Sequence, residues 1–266
     1  LPAKTNATNT AADSVSGESI RLQAYLAHCG VASRRASEKI ITDGRVSVNG
    51  AIVTELGTKV NPGDEVLVDG KKITLEETKR YIALNKPAGY VCSLADEKGR
   101  KCASEILRTV YSERLYNVGR LDMFSTGMIL FTNDGDFAAK LSHPSAEIEK
   151  EYVVETSLPL PRNLAEQFKK GMRIDNVFYK AVDAQELNSR KMKIVLIEGK
   201  NREIRRVFEK AEVGIKSLQR VRIGNVLLGD LKPGEFRELT PGEISGLLKL
   251  CRSNREMSES ADIDDR

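Results

Sequence analysis

From residue 20 onward the chain alternates between two hydrophobic periods. Leu22, Tyr25, Leu26 and Cys29 recur at intervals of three and four, which places them on one face of a helix. Gly30 suits the end of that helix. Ser33 stands where an N-cap is needed for a second helix over 34–42, with Ala36 and Ile40 expected to face the core and Gly44 to stop it. The period then drops to two in Arg45-Val46-Ser47-Val48, and Asn49-Gly50 closes the run as a hairpin turn. Further short strands are expected near Val60 and over 65–68.

A charged stretch without bulky apolar residues, 76–80, reads as a linker. Beyond it, strands are predicted over 81–84, 115–118 and 128–132, with 119–127 as a loop. Asn133-Asp134-Gly135 is a turn, and Asp136 is expected to cap a helix over 137–142. A strand over 151–156, a helix over 164–170, a strand over 193–197 and a helix over 201–211 follow. Strands over 217–222, 226–228 and 236–239 precede Thr240-Pro241-Gly242-Glu243, a capping box that opens a last helix through about 250. Strands outnumber helices and many are joined by short turns. The expected class is therefore α+β, with a mainly antiparallel sheet flanked by helices. Residues 19–75 and 81–252 form two expected domains, between polar tails at 1–18 and 253–266 that are too poor in apolar residues to fold.

Composition narrows the chemistry. No apolar run approaches the roughly 18 residues of a membrane helix. Cys29, Cys92, Cys102 and Cys251 form no CxxC pair, which speaks against a zinc site or a disulfide framework and for the reducing cytoplasm. With only His28 and His143, far apart, metal chemistry is not expected. No dinucleotide glycine fingerprint is present. The net charge of +4 is small, and the acidic C-terminal tail masks part of the basic character of the rest. The distribution of cations therefore matters more than their sum.

Those cations cluster. Arg34, Arg35 and Lys39 lie on the second helix, with Arg21 and Arg45 on the adjoining helix and hairpin, an arrangement suited to a phosphate backbone. Charge alone equally fits a solvated face. The surrounding text is more specific. Arg21-Leu22, Tyr25-Leu26, Gly30, Ala32-Ser33-Arg34-Arg35-Ala36 and 44–50 resemble the αL-type RNA-binding domain named after ribosomal protein S-four. The resemblance implies RNA contacts from Arg21, Ser33, Arg34, Arg35, Lys39, Arg45 and Asn49. Ala24 stands where that family often carries a basic residue.

The string Gly119-Arg120-Leu121-Asp122-Met123-Phe124-Ser125-Thr126-Gly127 resembles the GRLDxxSTG motif of pseudouridine synthases, in the branch of RsuA-type ribosomal RNA enzymes. Leu84-Asn85-Lys86-Pro87 upstream and 130–135 downstream continue the match, and the whole resemblance spans about 19–250. It implies a redox-neutral isomerisation of uridine without cofactor or metal, on ribosomal RNA, with the large subunit favoured. It makes Asp122 the catalytic carboxylate, Tyr152 the ring that stacks on the target base, and Arg205 the partner of Asp122. Arg202, Arg205 and Arg206, at i, i+3 and i+4, share one side of the expected helix. Lys86, Arg120, Lys150, Arg202 and Arg206 are the expected RNA contacts of this domain. Glu203 stands where many relatives have Gln. Nothing in the pattern calls for a dimer, so a monomer with RNA as its partner is expected.

Overall fold

The computed structural model describes residues 19–94 and 96–251, so the expected tails at 1–18 and 253–266 lie outside the described residues. The chain divides into two compact units between Glu77 and Thr78. Arg80, placed above in the linker, belongs to the larger unit, where Glu113 at 2.7 Å and Glu238 at 3.0 Å hold its guanidinium.

The smaller unit runs β1 (Ile20–Arg21), α1 (Leu22–His28), α2 (Arg34–Thr42), β2 (Val46–Val48), β3 (Ala51–Val53), β4 (Lys59–Val60), β5 (Val66–Val68) and β6 (Lys71–Lys72). Its sheet has the order β3-β2-β5-β6, and β1 pairs separately with β4. Asn49 and Gly50 turn the β2–β3 hairpin with φ of 50° and 83°, the left-handed pair that such a turn requires. Ser33 caps α2, its Oγ accepting from the Ala36 amide at 3.2 Å. Leu22, Leu26, Ile41, Val46, Val60, Val66 and Val68 fill the core. The expected inward face of α2 is out by one residue. Ala36 is exposed, Ile40 is only partly covered, and Ser37 and Ile41 point inward instead.

The larger unit runs β7 (Tyr81–Lys86), α3 (Ala103–Arg108), β8 (Tyr116–Val118), β9 (Thr126–Thr132), α4 (Gly135–Ser142), β10 (Lys150–Thr156), α5 (Leu164–Lys170), β11 (Met172–Ile174), β12 (Val177–Tyr179), β13 (Asp183–Asn188), β14 (Lys191–Leu196), α6 (Glu203–Lys210), β15 (Ile215–Ile223), β16 (Val226–Leu227) and β17 (Phe236–Glu238). A last helix, α7, covers 241–251. The sheet has the order β13-β14-β10-β15-β9-β7-β17, with β16 on β15 and β8 on β9. Both faces are covered, which explains the unbroken apolar run on β9. Met128 and Leu130 face a core with Phe137, Leu141 and Leu247, while Ile129 and Phe131 face another with Ala103 and Leu107. A third core packs Leu164, Phe168, Val207 and Phe208 against Val154, Met192 and Ile194. Among the described residues no helix is long and apolar enough to cross a membrane.

The pairings between these strands are antiparallel except where β15 meets β9, with Gln219 opposite Thr126 and Arg220 opposite Gly127. The backbones approach so closely there that a Cβ on Gly127, itself at φ +98°, would lie 2.2 Å from the Arg220 carbonyl oxygen. Gly127, expected in a loop, is thus a strand residue that joins the two halves of the sheet. The N-cap of α4 also differs from expectation. Asp134 accepts from the Asp136 and Phe137 amides at 3.0 and 3.1 Å, because Asp134 has the extended backbone a cap needs and Asp136 is already in the first turn.

Candidate active site

Residues 119–125 form the loop between β8 and β9. The Ser125 amide donates to the Asp122 carbonyl at 3.0 Å, closing a tight turn that leaves the Asp122 side chain about a third exposed, at 37%. On the facing wall, the chain reaches α6 through Arg202, whose left-handed backbone (φ 51°) turns it into the helix. Arg205, one turn in, brings Nε to 3.5 Å from the Asp122 carboxylate, and Arg202 brings Nη1 to 3.9 Å. Arg205 Nη2 also donates to Ser125 Oγ at 3.1 Å, so the same guanidinium fixes both ends of the turn. Burial pulls the Arg205 pKa down and Asp122 opposes the shift; an arginine stays charged under such a pull.

Asp122, Tyr152 and Arg205 line one cleft of about 1800 Å³. That exceeds the roughly 300–1,000 Å³ of ordinary small-molecule sites and leaves room for a nucleotide with its neighbours. Tyr152 sits in the floor, 8% exposed, with its lower side in the core beneath α5 and α6. Arg120 is exposed at the rim. His143 caps the short turn at 144–146, where its Nδ1 accepts from the Ser145 amide at 3.2 Å, a structural role.

Three of the expected RNA contacts have partners within the protein. Lys86 has no exposed surface and donates to the carbonyls of Pro87, Tyr90 and Met123 at 2.9, 2.9 and 3.1 Å. It is a cross-brace under the Asp122 loop, not an RNA contact, because every N–H of its ammonium is already used. Arg206 faces Asp175 at 3.8 Å and is not part of the pair of guanidiniums on Asp122. Asn49 spends its amide on Asp64 at 2.8 Å and its oxygen on the Glu65 amide at 2.9 Å, so its side chain holds the hairpin to its neighbour. Lys150 does line the cleft. Its ammonium donates to the Ile148 and Ile197 carbonyls at 2.8 and 2.7 Å, and burial lowers its pKa to about 8.

In the smaller unit, Arg21, Ser33, Arg34, Arg35, Lys39 and Arg45 all lie exposed. Arg45 pairs bidentately with Asp69, and Lys39 approaches Asp43 at 3.9 Å. Among the described residues no ion pair engages Arg34 or Arg35.

Two residues of the cleft escaped the sequence reading. Ser125 was read only as part of a motif. Arg220, 3% exposed, lines the cleft as the cross-strand partner of Tyr152. The available clue was its place in the alternation of β15, where Leu218 and Arg220 occupy successive inward positions.

Comparison with known proteins accords with this geometry. The model of the RNA pseudouridylate synthase family matches residues 80–210, and that of the S4 domain matches residues 20–66. The chain is 39% identical over 237 residues to ribosomal large subunit pseudouridine synthase B of Bacillus subtilis, covering 87% of this chain and 96% of that one. The chain belongs to the RNA pseudouridine synthase family. An RNA pseudouridine synthase of Borreliella burgdorferi is 38% identical over 231 residues, covering 85% of this synthase and 92% of the relative. A crystal structure of a pseudouridylate synthase superposes with a TM-score of 0.63 at 28% identity, covering 86% of this synthase and 99% of that chain. The synthase is thus an isomerase that acts on RNA, with an S4 domain ahead of an α+β catalytic domain.

Proposed function

We propose that this synthase converts a uridine of large-subunit ribosomal RNA into pseudouridine, with Asp122 as the catalytic carboxylate. The observation that carries the reading is the convergence of Arg205 and Arg202 on Asp122, in the wall of a cleft whose floor holds Tyr152. The choice of RNA rests on the name of the Bacillus subtilis relative.

The reaction detaches uracil from C1′ at N1, turns it, and rejoins it through C5. The paired guanidiniums favour the ionised carboxylate and aim it. Extruding the uridine from its stack costs roughly a few kcal/mol, offset by about 1–3 kcal/mol from stacking on an aromatic ring such as Tyr152. A single chain supplies the acid, the ring and both guanidiniums, so a monomer suffices. The exposed Arg34 and Arg35 of the S4 domain supply phosphate contacts that add affinity without reading the base.

The test compares Asp122→Asn and the double variant Arg34→Ala/Arg35→Ala with wild type on a large-subunit ribosomal RNA transcript. Asp122→Asn should bind the RNA as tightly as wild type, or more so, because it removes an anion from a cationic cleft. It should form no pseudouridine; measurable turnover would refute the assignment. The double variant should bind more weakly and with a salt slope lower by about 2. An unchanged slope counts against the phosphate role.

A further inference from the structure

The floor of the cleft holds a donor that the mechanism above leaves unused. Arg220 is 3% exposed, yet its Nη2 finds no hydrogen-bond partner among the described residues. A buried, unpaired guanidinium nitrogen is costly, so its retention calls for a partner that arrives later. The rest of the side chain is fixed. Nε donates to the Met128 carbonyl at 2.7 Å, and the backbone is clamped against Gly127 by the close parallel approach of β15 and β9. Neighbouring strands place Arg220 beside Tyr152 on the same face of the sheet, with its Cζ 6.0 Å from the ring centroid. Both residues also line the same cleft, where a base held against Tyr152 has the Arg220 guanidinium for a neighbour.

We infer that Nη2 of Arg220 donates a hydrogen bond to a carbonyl oxygen of the uracil held on Tyr152, and to the negative charge that oxygen carries once the C1′–N1 bond has opened. The inference rests on the proposed reaction. In that reaction the C1′–N1 bond breaks with its electron pair passing to the base, which spreads the charge over O2 and O4. The pair returns to C1′ from C5 as the new bond forms, and the net change moves one proton from C5 to N1. A fixed donor against either oxygen is stronger in the charged intermediate than in the bound uridine, which is the condition for lowering the barrier. A donor aimed at O4 also rejects cytosine, whose amino group would leave Arg220 unsatisfied.

The experiment uses a large-subunit ribosomal RNA fragment spanning the position that the wild-type protein modifies, made with uridine, 2-thiouridine or 4-thiouridine there. Sulfur accepts a hydrogen bond poorly. Single-turnover rates are measured for wild type and Arg220→Met, with RNA affinity in parallel. One of the two thio-substitutions should slow wild type by about 10- to 150-fold, as expected for one hydrogen bond to a charged group. Arg220→Met should slow the uridine substrate by a similar factor with RNA affinity within about threefold, and should lose its sensitivity to that sulfur. Wild-type rates within about threefold on all three RNAs would overturn the inference, as would a folded Arg220→Met with the wild-type rate. If Arg220→Met does not fold, the wild-type series alone decides. If wild type leaves even the uridine RNA of every tested fragment unmodified, the proposed function fails first and this inference with it.

Discussion

Replacing Lys86 by methionine separates two roles that a lysine beside an RNA-processing site could have. The ammonium is fully covered and its three donors end on three carbonyls from two segments, Pro87 and Tyr90 on one side and Met123 on the other. Hydrogen bonds to a charged group contribute about 1.5–3 kcal/mol each. Much of that sum is offset, because methionine no longer has to strip water from a cation, a cost of several kcal/mol. Burial indeed lowers the Lys86 pKa, the sign of that cost. The net loss should be about 2–4 kcal/mol, read from the urea midpoint of the catalytic domain. Met123 adjoins Asp122, and its carbonyl keeps only the Gly89 amide, at 2.8 Å, once the ammonium is gone, so the turn is free to shift. A displacement of about 1 Å at a reacting group costs on the order of 100-fold in rate. The expected result is therefore a less stable protein with sharply reduced single-turnover isomerisation but an RNA affinity and salt slope equal to wild type. Unchanged stability with a salt slope shallower by about 1 would show that Lys86 meets phosphate, and would refute the brace.

Gly127→Ala should destabilise by about 3 kcal/mol or more, since the new methyl meets backbone at 2.2 Å and the residue sits at φ +98°. Thermal unfolding tests this, and a loss under about 1 kcal/mol would contradict the close approach. Lys150, with its pKa lowered from 10.5 to about 8, gives a pH prediction. Between those two values the unfolded chain holds the proton that the folded one has released, so stability should rise with pH there. From pH 7.5 to 9.5 wild type should gain about 1–2 kcal/mol relative to Lys150→Met; parallel curves for the two proteins would sink the prediction.

The parts legible in the sequence are those where local chemistry permits one answer. Asn49-Gly50 allows only a tight hairpin, and Ser33 has one helix to cap. The Asp122 and Arg205 motifs were readable because their residue order is specific, and the structure brings the two side chains to 3.5 Å. The misreadings arose where tertiary packing decides. In Asn133-Asp134-Gly135-Asp136 two aspartates compete for the cap, and only the backbone conformation selects Asp134. On α2, a difference of one residue rotates the buried face by about 100°, and the neighbouring sheet chose Ser37 and Ile41. The six-residue α3 and the three-residue β11 and β12 are too short to show a period. Lys86 and Arg220 were invisible as interior groups because a cation normally faces water. Only carbonyls gathered from distant segments make their burial tolerable.

The meeting of Gly127 with Arg220 couples competence to complete folding. The Asp122 loop leads into β9, whereas Tyr152 and Arg205 come from the part of the chain that builds the other half of the sheet. Until that seam closes, neither half holds Asp122, Tyr152 and Arg205 together. On the proposed assignment, a nascent or partly unfolded synthase holds RNA through its S4 domain without isomerising it.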